Sequence, residues 1–444
     1  MGRLLGKRWF IAGLALIVAA TATVLAVVEH LPDPGISPTL AERKPDVARG
    51  EYIAVLGDCA FCHTKPGGLT YAGGRALRTP IGVIYSSNIT PDRQAGIGSY
   101  ALGDFVRATR LGVRPDGTRL YPAMPYTAYA KVSDEDLQDL FAYLQAAPAP
   151  VREASRATDI VWPLSIRWPL AFWSLAFHDN ARFTADVSRD TAWNRGAYLV
   201  QGLAHCGTCH TPRGLLFEEK DVRGKTSLYL SGTRFDRASA VNLRGNSGDG
   251  LGRWSTSDIA QLLKSGRNGH SAVTGTMADA VWHSTQYMTE QDVTAIAVYV
   301  KSLSPAPENG RPNYIASDST IRAALTGNER SPGGRIYMDS CAACHRLSGR
   351  GENLTFPALA GNSSVLSSDP SSLIGVILEG GRAPSTVSAP TGLVMPGFGW
   401  RYDDADIAAL ATFTRSSWGN DAPPVSATQV AKIRDQLVLI RPDH

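Results

Sequence analysis

Hydrophobic and polar positions follow three patterns along this chain. The first is an unbroken apolar run. Trp9 to Val28 holds 20 residues with no charge and only two threonines. At about 1.5 Å rise per residue, a helix of that length reaches roughly 30 Å, enough to cross a bilayer. Arg3, Lys7 and Arg8 flank it on one side. That basic flank predicts a single span of the bacterial inner (cytoplasmic) membrane, with residues 29 onward in the periplasm. The competing reading is a cleaved signal peptide ending at Ala20-Thr21-Ala22. The run exceeds the roughly 7–15-residue core of such peptides, so a retained anchor is the expectation.

The second pattern has helical spacing and recurs three times. Ser133-Asp134-Glu135-Asp136 opens a stretch with apolar residues at Leu137, Leu140, Phe141 and Leu144. Thr289-Glu290-Gln291-Asp292 opens Val293 to Leu303, and Asp403-Asp404-Ala405-Asp406 opens Ile407 to Thr414. Each start has a capping residue and first-turn carboxylates, which satisfy free N–H groups and suit the helix dipole. A shorter helical start precedes each unit's chemistry: Arg49-Gly50-Glu51-Tyr52, Arg195-Gly196-Ala197-Tyr198 and Gly334-Arg335-Ile336-Tyr337. The repetition predicts a mainly α chain of three related domains. The expected division is 1–40 anchor and linker, 41–150 first domain, 151–190 linker, 191–305 second domain, 306–328 linker, 329–420 third domain and 421–444 tail. The third pattern is not repeated. Residues 160–177 carry Trp162, Trp168 and Trp173 among aliphatic residues. They read either as packing between domains or as a surface facing a bilayer or a quinone.

Cysteine decides the chemistry. All six cysteines fall in three C-x-x-C-H motifs: Cys59/Cys62/His63, Cys206/Cys209/His210 and Cys341/Cys344/His345. This is the attachment signature of c-type haem. Two thiols on one helical turn reach the two vinyl groups of a porphyrin edge, and the next His lies under the iron. Zinc would need four ligands where each motif offers three adjacent ones, and a C-x-x-C disulfide would leave three His unexplained. Three haem c groups are therefore expected. Met124, Met277 and Met395 are each expected on a Gly- or Pro-rich loop just before the last helix of a unit, as candidate sixth ligands. Met288 and Met338 read as core residues, and His178, His205, His270 and His283 receive no ligand role.

Charge excludes one partner class. Lys plus Arg number 44 against 40 Asp plus Glu, a net +4 with no basic stripe, which argues against nucleic acid. Three haems would add about six propionate charges and bring the total to about −2.

The motifs together with Tyr71-Ala72-Gly73-Gly74, Ser87-Asn88-Ile89-Thr90-Pro91-Asp92, Trp193 to Val200, His205 to Arg213, Gly269-His270-Ser271-Ala272 and Ser416 to Asn420 give a specific likeness. From about residue 45 to 420 the chain resembles the triheme cytochrome c subunits of membrane-bound periplasmic dehydrogenases. The resemblance implies three cytochrome c-like domains behind the N-terminal transmembrane helix. It also implies a catalytic partner of quinoprotein, molybdopterin or flavin type, acting on an alcohol, aldehyde, gluconate or fructose, and ubiquinone as acceptor in the respiratory chain. Nothing on this chain reads as a substrate-oxidising site. The alternatives are a stand-alone multihaem carrier or oxidase subunit and, less favoured, a haem peroxidase.

Overall fold

The computed structural model describes residues 11–16, 18, 19, 21, 22, 40, 42–235, 238–307, 311–325 and 330–438. In chain order the first unit holds α1 (Val47–Leu56), the short α2 (Cys59–Cys62), α3 (Leu102–Leu111) and α4 (Asp134–Ala146). After α5 (Leu170–Phe177), the second unit holds α6 (Thr191–Tyr198), α7 (Gly207–His210), α8 (Thr256–Ser265), α9 (Gly275–His283) and α10 (Glu290–Lys301). The third holds α11 (Pro332–Ser340), α12 (Ala342–His345), α13 (Ser371–Glu379), α14 (Asp404–Ser416) and α15 (Ala427–Val438). Strands are short. The largest sheet joins β1 (Ala76–Thr79), β2 (Gly82–Tyr85) and β3 (Asp159–Ile160), which ties the Trp-rich segment to the first unit.

The closing helices start where the capping residues stand. Ser133 Oγ accepts from Asp136 N–H at 3.1 Å, Thr289 Oγ1 from Asp292 N–H at 3.1 Å, and Asp403 Oδ1 from Asp406 N–H at 2.9 Å. Each closing helix crosses the opening helix of its own unit: α4 on α1, α10 on α6, α14 on α11. A glycine makes every crossing possible. A Cβ at Gly50 would collide with the Asp139 carbonyl and stand 2.8 Å from Tyr143 Cβ. Gly196 faces the Ala295 carbonyl and Tyr299 Cβ in the same way, and Gly333 faces the Ala409 carbonyl and Phe413 Cβ. The obstacle is backbone in a packed helix, so it cannot swing aside. Gly196→Ala should cost about 3 kcal/mol, the upper end for overpacking, read as a lower melting temperature of the second unit. An unchanged melt would show that the crossing relaxes.

The first and second units share one core. Ile53, Leu56, Leu137 and Leu140 belong to the same buried cluster as Leu199, Leu203, Val293 and Ile296. The contacts across the junction are reciprocal. Tyr52 Oη donates to Asp292 Oδ2 at 2.7 Å and accepts from Thr289 N–H at 2.9 Å. Tyr198 Oη donates to Asp136 and accepts from Ser133 N–H at 3.1 Å. Within each unit an arginine holds the same carboxylate, Arg49 on Asp136 and Arg195 on Asp292. Equivalent residues exchange equivalent contacts, which is the signature of an isologous, two-fold-like interface.

The third unit has its own core, built on Tyr337, Ile374, Ile377, Leu410 and Phe413. It docks on the second through Ser363 Oγ donating to the Gly250 carbonyl at 2.7 Å, Asn362 Nδ2 to the His270 carbonyl at 3.2 Å, and Arg253 to the Gly361 carbonyl. Residues 427–438, expected as part of a tail, form a helix whose Val430, Ile433 and Leu437 complete this core.

The expected N-terminal transmembrane helix is corrected here. Much of Trp9–Val28 lies outside the described residues. Among the described residues no helix is long and apolar enough to cross a membrane. The fold is thus mainly helical without a supported span, and the single-span inner-membrane placement with periplasmic domains goes with it.

Candidate functional site

Three tight helical turns carry the three motifs. In each, the His N–H donates to the carbonyl of the first Cys: His63 to Cys59 at 3.0 Å, His210 to Cys206 at 2.9 Å and His345 to Cys341 at 2.9 Å. This closes a turn in which two thiols and an imidazole leave one short stretch of backbone.

Each His is then clamped twice by residues outside its motif. The His63 Nδ1 lies 2.7 Å from the Ser87 carbonyl, His210 Nδ1 2.8 Å from Val241, and His345 Nδ1 2.9 Å from Pro357. A carbonyl only accepts, so Nδ1 carries the proton and Nε2 keeps its lone pair. At the other end, each His carbonyl accepts from a glycine N–H: Gly73 at 2.7 Å, Gly232 at 2.8 Å and Gly351 at 3.0 Å. All three glycines sit at positive φ, 75°, 85° and 62°. That conformation, and the close approach of the Asn88, Asn242 and Pro357 backbones, excludes a side chain there. The glycine therefore lets the distal loop reach over and hold the ring.

Burial pushes all three imidazoles below their ordinary pKa, against the opposing pull of the backbone bond. They stay neutral, as metal ligation by Nε2 requires. All six cysteines are free of disulfides. Burial raises the thiols of Cys59, Cys62, Cys206 and Cys341 to about 12 and that of Cys209 to about 11. Among the described residues no group of three or more His, Cys, Asp and Glu side chains converges as a metal site. Paired thiols on one turn beside a neutral, oriented Nε2 fit covalent haem, with the imidazole tuned by its carbonyl partner.

The methionines are placed differently from one another. Met124 stands in a turn, with its N–H on the Tyr121 carbonyl at 3.1 Å, and packs against the same core as Cys59. Met277 lies in the first turn of α9, in a small cluster with Val273 and Val281. Met395 is on a strand, Val394–Pro396, paired in register with Gly381. Two of the three are thus on regular elements where loops were expected. Met288 is fully buried in the shared core and Met338 packs on the third.

A cytochrome c family model matches residues 194–304 and 331–418, covering the second and third motifs. The gluconate 2-dehydrogenase cytochrome c subunit of Pantoea cypripedii is 46% identical over 394 residues, 87% of this chain and 89% of that one. The cytochrome c subunit of a quinone alcohol dehydrogenase from Gluconobacter oxydans is 45% identical over 393 residues, 87% and 82% of the two chains. The chain belongs to the dehydrogenase cytochrome c subunits. A fructose dehydrogenase cytochrome subunit from Gluconobacter japonicus, 36% identical over 437 residues, extends the same likeness to 94% of this chain and 88% of the relative.

As a cytochrome c subunit, this chain is an electron-transfer component with haem c as its cofactor. The residues that orient its histidines escaped sequence reasoning because they act through main-chain atoms. Ser87, Val241 and Pro357 share no side-chain type. His205 escaped too. It is no solvent-facing residue: its Nε2 is 3.3 Å from the Gly57 carbonyl, and its ring meets Tyr129 edge-on at 5.7 Å. His270 stacks on Trp254 at 5.2 Å and pairs with Asp258 at 3.4 Å, which accounts for it without a ligand role.

Proposed function

We propose that this cytochrome c subunit holds three haem c groups and conducts electrons from a dehydrogenase catalytic subunit to ubiquinone at a membrane surface. The observation that carries the count is the threefold recurrence of one arrangement: motif turn, Nδ1–H on a distant carbonyl, and a left-handed glycine on the His carbonyl. Bound haem c supplies one-electron redox chemistry. Cys59 and Cys62, Cys206 and Cys209, and Cys341 and Cys344 would hold the three groups covalently. His63, His210 and His345 would present Nε2 to the irons, and Met124, Met277 and Met395 would close the sixth positions. The three units correspond to 41–150, 191–305 and 329–420.

The catalytic partner follows from the relatives, each named as the cytochrome subunit of a dehydrogenase. Support for a membrane-facing acceptor comes from the Trp-rich segment. Trp162 is 80% exposed and Trp168 51%, beside exposed Val161, Leu164 and Leu175. Trp173 Nε1 donates to the Leu216 carbonyl at 2.8 Å, which brings exposed Leu215, Leu216 and Phe217 alongside. Indole rings over an aliphatic surface suit the bilayer interface. With the partner dehydrogenase bound, Trp162→Ser/Trp168→Ser should lower ubiquinone reduction severalfold and weaken liposome flotation, while ferricyanide reduction stays unchanged. Equal loss with both acceptors would place the defect in the relay instead. The function is tested by co-purification: a dehydrogenase subunit that reduces ubiquinone only with this chain present is the expected result, and full activity without it contradicts the proposal.

A further inference from the structure

The junction between the first and second units brings their motif turns together, and two unusual residues stand at the contact. Asp58 and His205 each directly precede the first cysteine of their motif. Both are in the left-handed region, at φ 48° and 36°. Neither is glycine, so both positions are strained, and such strain persists only where the surroundings impose it. The equivalent residue of the third motif, Ser340, is not among the positive-φ residues. Directly before the first cysteine, this conformation is therefore shared by the two turns that face one another and not by the third.

The contact itself is specific. The Gly57 carbonyl, two residues before Cys59, accepts from Tyr129 Oη of its own unit at 2.8 Å. It also faces His205 Nε2 of the other unit at 3.3 Å. A carbonyl cannot donate, so Nε2 carries the proton in this bond. The His205 ring is held edge-on against Tyr129, with an interplanar angle of 89°. Cys209 is among the groups that raise the Cys62 thiol, which agrees with adjacent turns. A bonded route from one attachment turn to the other thus runs Cys59, Asp58, Gly57 carbonyl, His205, Cys206, with a single hydrogen bond at the crossing.

We propose that His205 is a positioning residue for electron exchange between the first and second haem sites. Its N–H···O=C bond to Gly57 fixes the approach of the two attachment turns and supplies the bonded crossing between them. The step served moves one electron from a reduced site to an oxidised one, with no bond made or broken and no proton transferred. The inference rests on covalent haem at both motifs and is independent of which dehydrogenase or acceptor is used.

Two substitutions in the full holoprotein separate the bond from the ring. His205→Phe keeps an edge-on ring against Tyr129 and removes the donor, whereas His205→Gln keeps an N–H donor and removes the ring. After a radiolytic pulse delivers one electron per chain, multi-wavelength absorbance follows its redistribution between the two sites. H205F should slow that redistribution about tenfold, the lower end for loss of an outer-shell partner at a metal centre. The haem spectra and both potentials should be unchanged, and H205Q should recover most of the rate. An unchanged rate in H205F overturns the proposal, and so does an H205Q as slow as H205F. If H205F does not accumulate, nitrogen-15 resonances of the imidazoles in the reduced wild-type protein decide. A His205 Nε2–H protected from exchange supports the bond, and an Nδ1–H tautomer overturns it. Haem content measured on the same wild-type sample tests the three-haem reading separately.

Discussion

Cys206→Ser/Cys209→Ser is expected to yield a chain with two covalent haems and no transfer of electrons from the partner dehydrogenase to ubiquinone. The second unit touches both of the others. It shares the buried cluster of Ile53, Leu137, Leu199 and Val293 with the first unit, and its Gly250 and His270 carbonyls receive bonds from the third. Loss at the second site therefore interrupts a relay from either end. The variant should also be less stable, because a porphyrin supplies much of the apolar core in a domain of about 100 residues. The damage should spread into the first unit across the common cluster while leaving the third, whose core is separate. Pyridine haemochrome spectra, quinone reduction and melting followed at each unit check these outcomes. Retained quinone reduction would show that the second site is bypassed.

Met277→Leu is expected to free one iron for carbon monoxide and to lower one potential by on the order of 100 mV, part of the ~0.8 V range that axial ligands span. Leucine keeps the volume of the thioether, so the small cluster of Val273, Ala278 and Val281 around it should persist. All three haems should remain attached, because attachment depends on Cys206 and Cys209. Met124→Leu and Met395→Leu should behave alike at their own sites. A variant that changes neither potential nor carbon monoxide binding would remove that methionine from the ligand set.

The three C-x-x-C-H turns were legible because two thiols and an imidazole at a fixed spacing stand out in any surrounding sequence, and each motif closes into one short helical turn. The capped closing helices were legible for a similar reason: Ser133, Thr289 and Asp403 act locally. The clamp on each histidine was not. Ser87, Val241 and Pro357 contribute a carbonyl that every residue possesses, and only the fold brings it to the ring. Gly73, Gly232 and Gly351 do the same work with no common neighbours in sequence. The crossing glycine of the third unit is Gly333, one place before the expected repeat, because the helical starts differ in length. In the second unit a π-turn at Leu199–Leu203 separates Gly196 from Cys206 by one residue more than Gly50 from Cys59. His205 looked unremarkable because its partner, Gly57, is 148 positions away. The apolar run of Trp9–Val28 misled for the opposite reason: hydropathy alone predicted a span that the described helices do not support.

The most direct test is the intact mass of the mature chain, together with alkylation of its cysteines after denaturation and reduction. The account predicts the polypeptide mass plus three haems, with all six cysteines resistant to alkylation because each is a thioether. A mass with fewer than three haems, with a matching pair of alkylated cysteines at any of the three motifs, would contradict it.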